Sequence, residues 1–365
     1  MSEAYRAEAD ALDAEILAAI EARLVPNFDD LALRIFAHQL RYNEPYARYC
    51  ASLGVSLESM PRSWDNIPPI PAGAFKEAAL STFDPAQAFL AFETSGTTRG
   101  ARGKHYLEDS RLYDASLLSG FETYFLQDAK TTFRFLLFVP QFWVLPGRRQ
   151  SSLGYMMDRA ASCYGDGQER WFIKGETLFV GGFIAAAGNA ARENVPVILA
   201  GTAFSFAALL DAFRDRGVAS LPLPAGSKIM ETGGFKGRTG HVDRRQLYAD
   251  LERVFELPRS SIIAEYGMTE LLSQYYDRSG QEPRVKIGPP WLRSYAVGEN
   301  GERLPPGVVG ALVHVDLANR SSCVAIQTED LGAVLDDGGL VLIGRERGAE
   351  LRGCSLDAES LRAVS

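Results

Sequence analysis

The sequence predicts an α/β protein with open, mostly parallel sheets, a helical N-terminal segment and a β-rich C-terminal part. Three observations predict it. Short apolar runs recur at 88–92 (AFLAF), 134–139 (RFLLFV), 196–200 (PVILA), 227–230 (SKIM) and 261–264 (SIIA), several separated by helix-length stretches. Runs of that length, bounded by Gly, Pro or polar residues, read as buried strands of an open α/β sheet. Three of them end in unusual polar loops, ETSGTTRG, ETGGFKGR and EYGMTE, and in such sheets ligands sit beyond the carboxyl ends of the strands. After about residue 300 the texture changes: VVGALVHVD, CVAIQT and AVLDDGGLVLIG alternate around turn signals, and the Asp337-Gly338 pair suits a tight hairpin.

The helical part is read from spacing. Leu12, Ile16, Ile20 and Leu24 lie four apart, one face of a helix over residues 5–25. A second pattern after VPNFDD sets Leu33, Phe36, Ala37 and Leu40 on one stripe, with His38 an ordinary structural histidine. IPPIPAGAFKEAAL reads as an extended linker, since each Pro disfavours helix before it. The expected organisation is a helical segment at 1–60, an α/β core at 61–300, a β-rich subdomain at 301–343 and a short tail at 344–365.

Composition narrows the function. The chain has 365 residues, 46% hydrophobic and 23% charged, as in a soluble globular protein of two or three structural units. A net charge of -8 without a dense run of Lys or Arg argues against non-specific nucleic-acid binding. The first twenty residues lack the basic start of a signal peptide, and the most apolar region, TLFVGGFIAAAGNAARENVPVILAG, is too broken for a transmembrane helix. Four cysteines without a CxxC pair fit a reducing cytoplasm and argue against a zinc ribbon. Cys50, Cys163 and Cys323 read as core residues.

The loop FETSGTTRGARGKHYLED collects hydroxyls, glycines and cations. Glycine frees backbone N–H groups to converge on phosphate oxygens, hydroxyls add donors, and Lys or Arg adds charge. The bland alternative is a surface loop. It is not a Walker A loop, because Thr98 stands where Gly would be needed and His105 follows Lys104. No GxGxxG follows a strand, and no GxSxG elbow marks a serine hydrolase. In EYGMTELLSQYY, Tyr266 beside Gly267 can stack on a flat ring, while Thr269 and Glu270 can serve a phosphate oxygen and a hard cation such as Mg²⁺. Gly233 and Gly234 allow close approach of a ligand; taken alone they are a turn.

TSGTT, GG and YGMTE, in that order and at those separations, resemble the adenylate-forming enzymes, among them acyl-CoA synthetases, luciferases and peptide-synthetase adenylation domains. QTEDLG resembles the T-G-D segment of that superfamily, and LIGRERGAELRGCSLDAESL its Gly-Arg hinge segment. Within it, LALRIFAHQLRYNEPYARYC, IPPIPAGAFK and RGCSLDAESL look like the acyl-protein synthetases of bacterial bioluminescence (LuxE type). The resemblance implies the adenylate-forming fold and ATP-dependent formation of an acyl-AMP from a fatty acid, with Mg²⁺. It gives Thr94, Ser95, Gly96, Thr97 and Thr98 to the phosphates, and Gly233, Gly234, Tyr266 and Gly267 to adenine. It gives Asp330 to the ribose hydroxyls, Arg345 to the hinge, Thr269 to the α-phosphate and Glu270 to Mg²⁺.

There are departures. Glu329 replaces the superfamily's Gly before Asp330, and Arg99-Gly-Ala-Arg-Gly-Lys104 replaces Gly-x-Pro-Lys-Gly. The sequence ends at Ser365, where other members continue into a lid domain bearing an adenylation lysine. Lys104, Arg102, Lys236 or a partner protein is then expected to stabilise the leaving pyrophosphate. Cys354 is the candidate nucleophile, since a thiolate attacks an acyl-adenylate readily. Arg347 and Arg352 would lower its pKa if close, and Glu350 and Asp357 would oppose that. Locally it also reads as a small residue of the last segment. The resemblance favours self-acylation followed by transfer to a reductase or carrier protein. The competing readings are an acyl- or aryl-CoA ligase similar to phenylacetate-CoA ligase, and a non-catalytic nucleotide-binding subunit.

Overall fold

Ser2 opens the first helix, α1 (Glu3–Ala22), by accepting the Tyr5 amide at 3.2 Å. Arg23 ends it with a left-handed φ of 52°. Leu12, Ile16 and Ile20 are buried as the spacing predicts, but Leu24 lies beyond that cap and is 59% exposed. The next helix, α2 (Phe28–Tyr42), starts at Asn27, with Asp29 and Asp30 at its positive end. Its buried stripe is Leu31, Ala32, Ile35, Phe36, His38 and Gln39. The expected stripe is therefore rotated, and Leu33, Ala37 and Leu40 are only half-buried. Gln39 explains the rotation. Its amide donates to the Asn319 and Arg320 carbonyls at 2.8 and 3.1 Å, and its oxygen accepts the Val324 N–H at 2.9 Å. His38 is structural: its ring lies 5.3 Å from Tyr5 and 4.9 Å from Tyr42. Asn43 then opens α3 (Glu44–Ser52) and donates to the Ser322 carbonyl at 3.0 Å.

The computed structural model describes residues 2–94, 102–139, 141, 151–168, 170–175, 177–233, 243–278, 284–345 and 362–364. It divides into two units. The first comprises Met1–Phe121, Gly267–Tyr275 and Val285–Glu350; the second comprises Glu122–Tyr266, Tyr276–Arg284 and Leu351–Ser365. After α3 the first unit continues with β1 (Ile70–Pro71), α4 (Ala74–Glu77), β2 (Leu90–Glu93), β3 (Lys104–Leu107) and α5 (Arg111–Gly120). The run at 88–92 thus contributes a strand, but β2 pairs antiparallel with β3 rather than joining the parallel sheet. The chain folds back within a dozen residues, too few for the crossover that a parallel neighbour requires.

The second unit holds β4 (Arg134–Phe138), α6 (Ser152–Tyr164), β5 (Ile173–Lys174), β6 (Thr177–Phe179), α7 (Val180–Glu193), β7 (Val197–Thr202), α8 (Ala203–Asp215), β8 (Lys228–Thr232), α9 (Arg244–Phe255) and β9 (Ile262–Tyr266). The strands run β9-β8-β7-β4, all parallel, in register Ile229↔Ile262, Ile198↔Lys228 and Arg134↔Val197. Every residue of β4 and β7 is buried, as in a sheet covered on both faces. Phe138, Phe183, Phe206, Phe213 and Phe255 pack against one another in its core, mostly edge to face or tilted. Cys163, expected in the core, is exposed near the end of α6, whose inward face is Tyr155, Met156, Met157, Ala160 and Ala161. Cys50 and Cys323 are buried as expected.

Next come β10 (Tyr275–Asp277), β11 (Val285–Ile287), β12 (Leu292–Val297), β13 (Gly310–Asp316), β14 (Ala325–Val334) and β15 (Leu340–Arg345). In the first unit β12-β13-β14-β15-β11 form an antiparallel sheet, with β1 parallel to β14. Gly338 at φ 79° makes the β14–β15 turn at the expected Asp337-Gly338 pair. A last strand, β16 (Arg362–Val364), pairs with β6 in the second unit. No helix among the described residues is long and apolar enough to cross a membrane.

One charge cluster ties α1 to the turn after β13. Arg320, 3% exposed, donates to Asp13 at 2.7 and 2.9 Å and to Glu108 at 3.0 Å. Burial opposes its charge, but the Asp13 hydrogen bonds and carboxylate outweigh that and hold the guanidinium above its ordinary pKa. Arg320→Leu leaves a buried carboxylate short of its main partner and is expected to cost about 3–5 kcal/mol in urea unfolding. Arg34→Leu, which removes surface pairs to Glu15 and Asp30, should cost less than about 1 kcal/mol. Equal losses would refute this account of the cluster.

Candidate active site

In the first unit the base of the hydroxyl-rich loop is closed by two bonds. The Thr94 amide donates to the Gly103 carbonyl at 2.9 Å, and the Gly103 amide donates to the Thr94 hydroxyl at 3.0 Å. Thr94 is buried, and its hydroxyl accepts the Gly103 amide. Gly103 packs closely here, since a Cβ would lie 3.1 Å from the Phe75 backbone. Lys104 is exposed and stands opposite Glu93 in the hairpin register. Arg102 pairs with the Glu93 carboxylate at 3.5 Å. Ser95, Gly96, Thr97 and Thr98 lie outside the described residues.

The Thr269–Glu270 turn is held from several directions within the same unit. His105 Nδ1 lies 2.8 Å from the Thr269 carbonyl. Asn319 Nδ2 donates to the Glu270 carbonyl at 2.8 Å, and the Leu272 amide donates to both Asp316 and Asn319 at 3.0 Å. The Ser273 hydroxyl donates to Asp316 at 2.8 Å. Glu270 is buried and Thr269 half-buried. Asp330 is buried on β14 directly opposite Arg345 on β15, and its amide donates to the Thr328 hydroxyl at 3.0 Å. At the following bulge Gly332 is needed, because a Cβ would meet the Val341 carbonyl at 2.6 Å.

In the second unit Gly233 and Tyr266 follow the last paired residues of adjacent parallel strands, Thr232 and Glu265. Gly233 has φ 92°, a conformation that suits glycine. Buried carboxylates lie below these ends: Glu265 contacts the Thr232 hydroxyl, and Glu231 accepts the Tyr248 hydroxyl at 2.7 Å. Asp277 pairs with Arg284 and accepts the Ala264 amide at 2.8 Å. The Arg284 guanidinium lies 4.4 Å over the Tyr248 ring. Gly234, Lys236, Cys354 and its charged neighbours lie outside the described residues. Of the described candidates, then, Thr94, Lys104, Thr269 and Glu270 are joined through one hairpin and its His105 bond. Asp330 and Arg345 are register partners on paired strands, and Gly233 and Tyr266 follow adjacent strand ends.

With this geometry, a model of the acyl-protein synthetase family LuxE matches residues 168–361, more than half of the 365-residue chain. The chain belongs to that family. A search among curated proteins found no match for this LuxE-family chain. Among solved structures it is similar to McyG A-PCP complexed with phenylalanyl-adenylate, at 18% identity over 73% of this chain and 42% of that one, TM-score 0.52. It is also similar to ATP-bound MatB from Rhodopseudomonas palustris, at 15% identity over 72% and 49%, TM-score 0.49. A further match is O-succinylbenzoate Coenzyme A synthetase (MenE) from Bacillus subtilis in complex with AMP, at 15% identity over 72% and 50%, TM-score 0.47. The chain spans half or less of the length of these structures. The first likeness bears out the expected adenylate-forming fold.

Sequence reading missed Asp316 and Asn319. The signal was DLANRSS, a polar run at the end of an apolar strand where a simple turn needs far less polarity. It also left His105 and His314 unassigned. His314 sits 2.6 Å from the Ser294 hydroxyl. Burial lowers its pKa to about 4, against the field of Asp330, and lowers His105 to about 4 and His38 to about 3. Burial likewise raises Asp316 to about 6.

These shifts set a pH dependence. A histidine depressed in the fold keeps its full contribution above its unfolded value of 6.5 and loses it as pH falls, because the unfolded chain takes up the proton. Each contributes a slope of about 1.4 kcal/mol per pH unit below that point. Asp316, raised from 3.8 to about 6, opposes this with one slope between those values, since its folded form binds the proton more tightly. Two net slopes remain, so stability is expected to fall steeply from pH 7 to pH 5. A urea midpoint unchanged over that range would contradict these burials.

Proposed function

We propose that the chain activates a carboxylic acid, a fatty acid foremost, with ATP and then transfers the acyl group to a protein cysteine, Cys354 of its own. A carboxylate oxygen would attack the α-phosphorus of ATP. The new acyl–oxygen–phosphorus linkage forms as the bond to the bridging oxygen of the β-phosphate breaks, and pyrophosphate leaves with the electron pair. A thiolate would then attack the acyl carbon, forming a thioester and expelling AMP. The first step asks little covalent chemistry of the protein; positioning and charge stabilisation carry it.

The observation that carries this reading is membership of the acyl-protein synthetase family. The phenylalanyl-adenylate in McyG A-PCP supports an acyl-adenylate for a chain of this fold. In the proposed reaction Thr94, Ser95, Gly96, Thr97 and Thr98 hold the phosphates and Lys104 neutralises the departing pyrophosphate. Tyr266 stacks on adenine, Gly233, Gly234 and Gly267 permit its approach, and Asp330 takes the ribose. Thr269 meets the α-phosphate, while Arg345 belongs to the hinge segment. Glu270 offers a hard carboxylate oxygen for Mg²⁺. One carboxylate suffices, because Mg²⁺ is commonly held by one or two carboxylates together with substrate phosphates. Bound there, the ion would supply positive charge to the phosphate oxygens. A carrier or reductase protein is the proposed final acceptor.

The test is intact mass after incubation with ATP, Mg²⁺ and a mixture of fatty and aryl acids, for wild type and Cys354→Ala. A hydroxylamine-labile added mass, absent in the variant, is the expected outcome, and its size identifies the acid. Pyrophosphate release without added mass would redirect the acyl group to Coenzyme A or another protein. No acid-dependent pyrophosphate release, alone or with candidate acceptors, would refute the reading.

A further inference from the structure

The mechanism above leaves unused one titratable side chain that touches its machinery. His105 is wholly buried on β3, edge-on to Phe75 at a ring separation of 5.7 Å. Its Nδ1 lies 2.8 Å from the Thr269 carbonyl, an acceptor only, so the ring's N–H sits on Nδ1 and donates there. A pKa lowered by burial to about 4 keeps the ring neutral, which leaves Nε2 as a bare acceptor. Among the described residues that Nε2 is buried without a hydrogen-bond partner. Leaving a buried acceptor unsatisfied is unfavourable, and an apolar side chain packed on Phe75 would avoid it. What histidine adds at this position is the single bond from Nδ1.

That bond has a particular place. Asn319 and Asp316 hold the far side of the turn from the β13–β14 connection, at the Glu270 carbonyl and the Leu272 amide. His105 alone among these holders sits on the hairpin that carries Thr94 and Lys104, next to Lys104 itself. The hairpin is in turn seated by the close approach of Gly103 to the Phe75 backbone. The turn bearing Glu270 and the strand bearing Lys104 are thus one bond apart.

We infer that His105 is a positioning residue, whose Nδ1–H fixes the carbonyl of Thr269 and so sets Thr269 and Glu270 against the phosphate-loop hairpin. The inference rests on the adenylation reading above. Outer partners of this kind act through the ligand they orient, and their loss commonly lowers metal affinity or activity about 10- to 100-fold.

The test compares three substitutions in the full chain: His105→Asn, His105→Gln and His105→Leu. The Asn amide nitrogen sits near the position of Nδ1, that of Gln near Nε2. Acid-dependent pyrophosphate release is measured against ATP and against Mg²⁺, with thermal unfolding alongside. The expected result is wild-type-like turnover for Asn, and for Gln and Leu a kcat lower by about 10- to 100-fold with a higher half-saturating Mg²⁺ concentration. Equal turnover in all variants would overturn the inference while leaving adenylation standing. Equal loss in Asn and Gln would overturn it too. Failure of all three to fold would make His105 a residue of the fold and not of the turn. A wild type that releases no pyrophosphate would instead refute the reading beneath it.

Discussion

The first unit depends on one constraint: a buried polar turn, residues 316–323, must have its hydrogen-bonding groups satisfied away from water. Asp316, Asn319, Arg320 and Ser322 are all at least nine-tenths buried there. An unpaired polar group in such a setting costs the full desolvation of that group, so a network of this kind is either complete or harmful. Its partners come from far along the chain. Gln39 and Asn43 reach the carbonyls of residues 319, 320 and 322, Asp13 and Glu108 meet Arg320, and Leu80 accepts the Ser322 hydroxyl. The N-terminal helices are thereby part of the core of this unit.

The same turn faces the other way toward Thr269–Ser273. Asp316 accepts from a backbone amide, a serine hydroxyl and its own Ala318 amide, so its carboxylate oxygens are committed within a few residues of Glu270. Trp291 adds a further anchor, its indole N–H donating to Ser273 and Ser116 at 3.1 and 2.9 Å. A turn fixed at successive backbone positions loses little conformational entropy on meeting a ligand. In the proposed reaction, Asp316, Asn319 and Trp291 would hold the turn that bears Thr269 and Glu270.

This arrangement explains what was legible in the sequence. The strands β4, β7, β8 and β9 were legible because burial on both faces leaves continuous apolar runs. The β14–β15 hairpin was legible because its turn needs a glycine at positive φ. The stripe of α2 was misread because Gln39 faces inward, and a rule that counts only apolar residues assigns it outward. Leu24 was misread because no periodicity announces the Arg23 cap. At the candidate site, TSGTT and YGMTE stand out in the sequence because hydroxyls and glycines beside apolar strands are unusual. Asp316, Asn319 and His105 do not, because their contacts to the Thr269–Ser273 turn span 43 to 164 residues of sequence.

Charge raises the remaining question, since a chain of net charge -8 would have to receive a polyanion in the proposed reaction. Net charge governs solubility and encounter, whereas the field at a site is local. Locally, Lys104 and Arg102 flank Glu93 at the loop end of the β2–β3 hairpin, with Arg102 44% exposed and 3.5 Å from the carboxylate. An exposed pair at that separation is weak, generally below about 1 kcal/mol. Glu93 can therefore hold Arg102 without binding it tightly. Exchanging Glu93 for a phosphate oxygen replaces a weak, screened contact with a stronger charge-assisted one. In the proposed reaction Glu93 would give way to a phosphate oxygen, and the net acidity of the chain would not by itself oppose ATP binding.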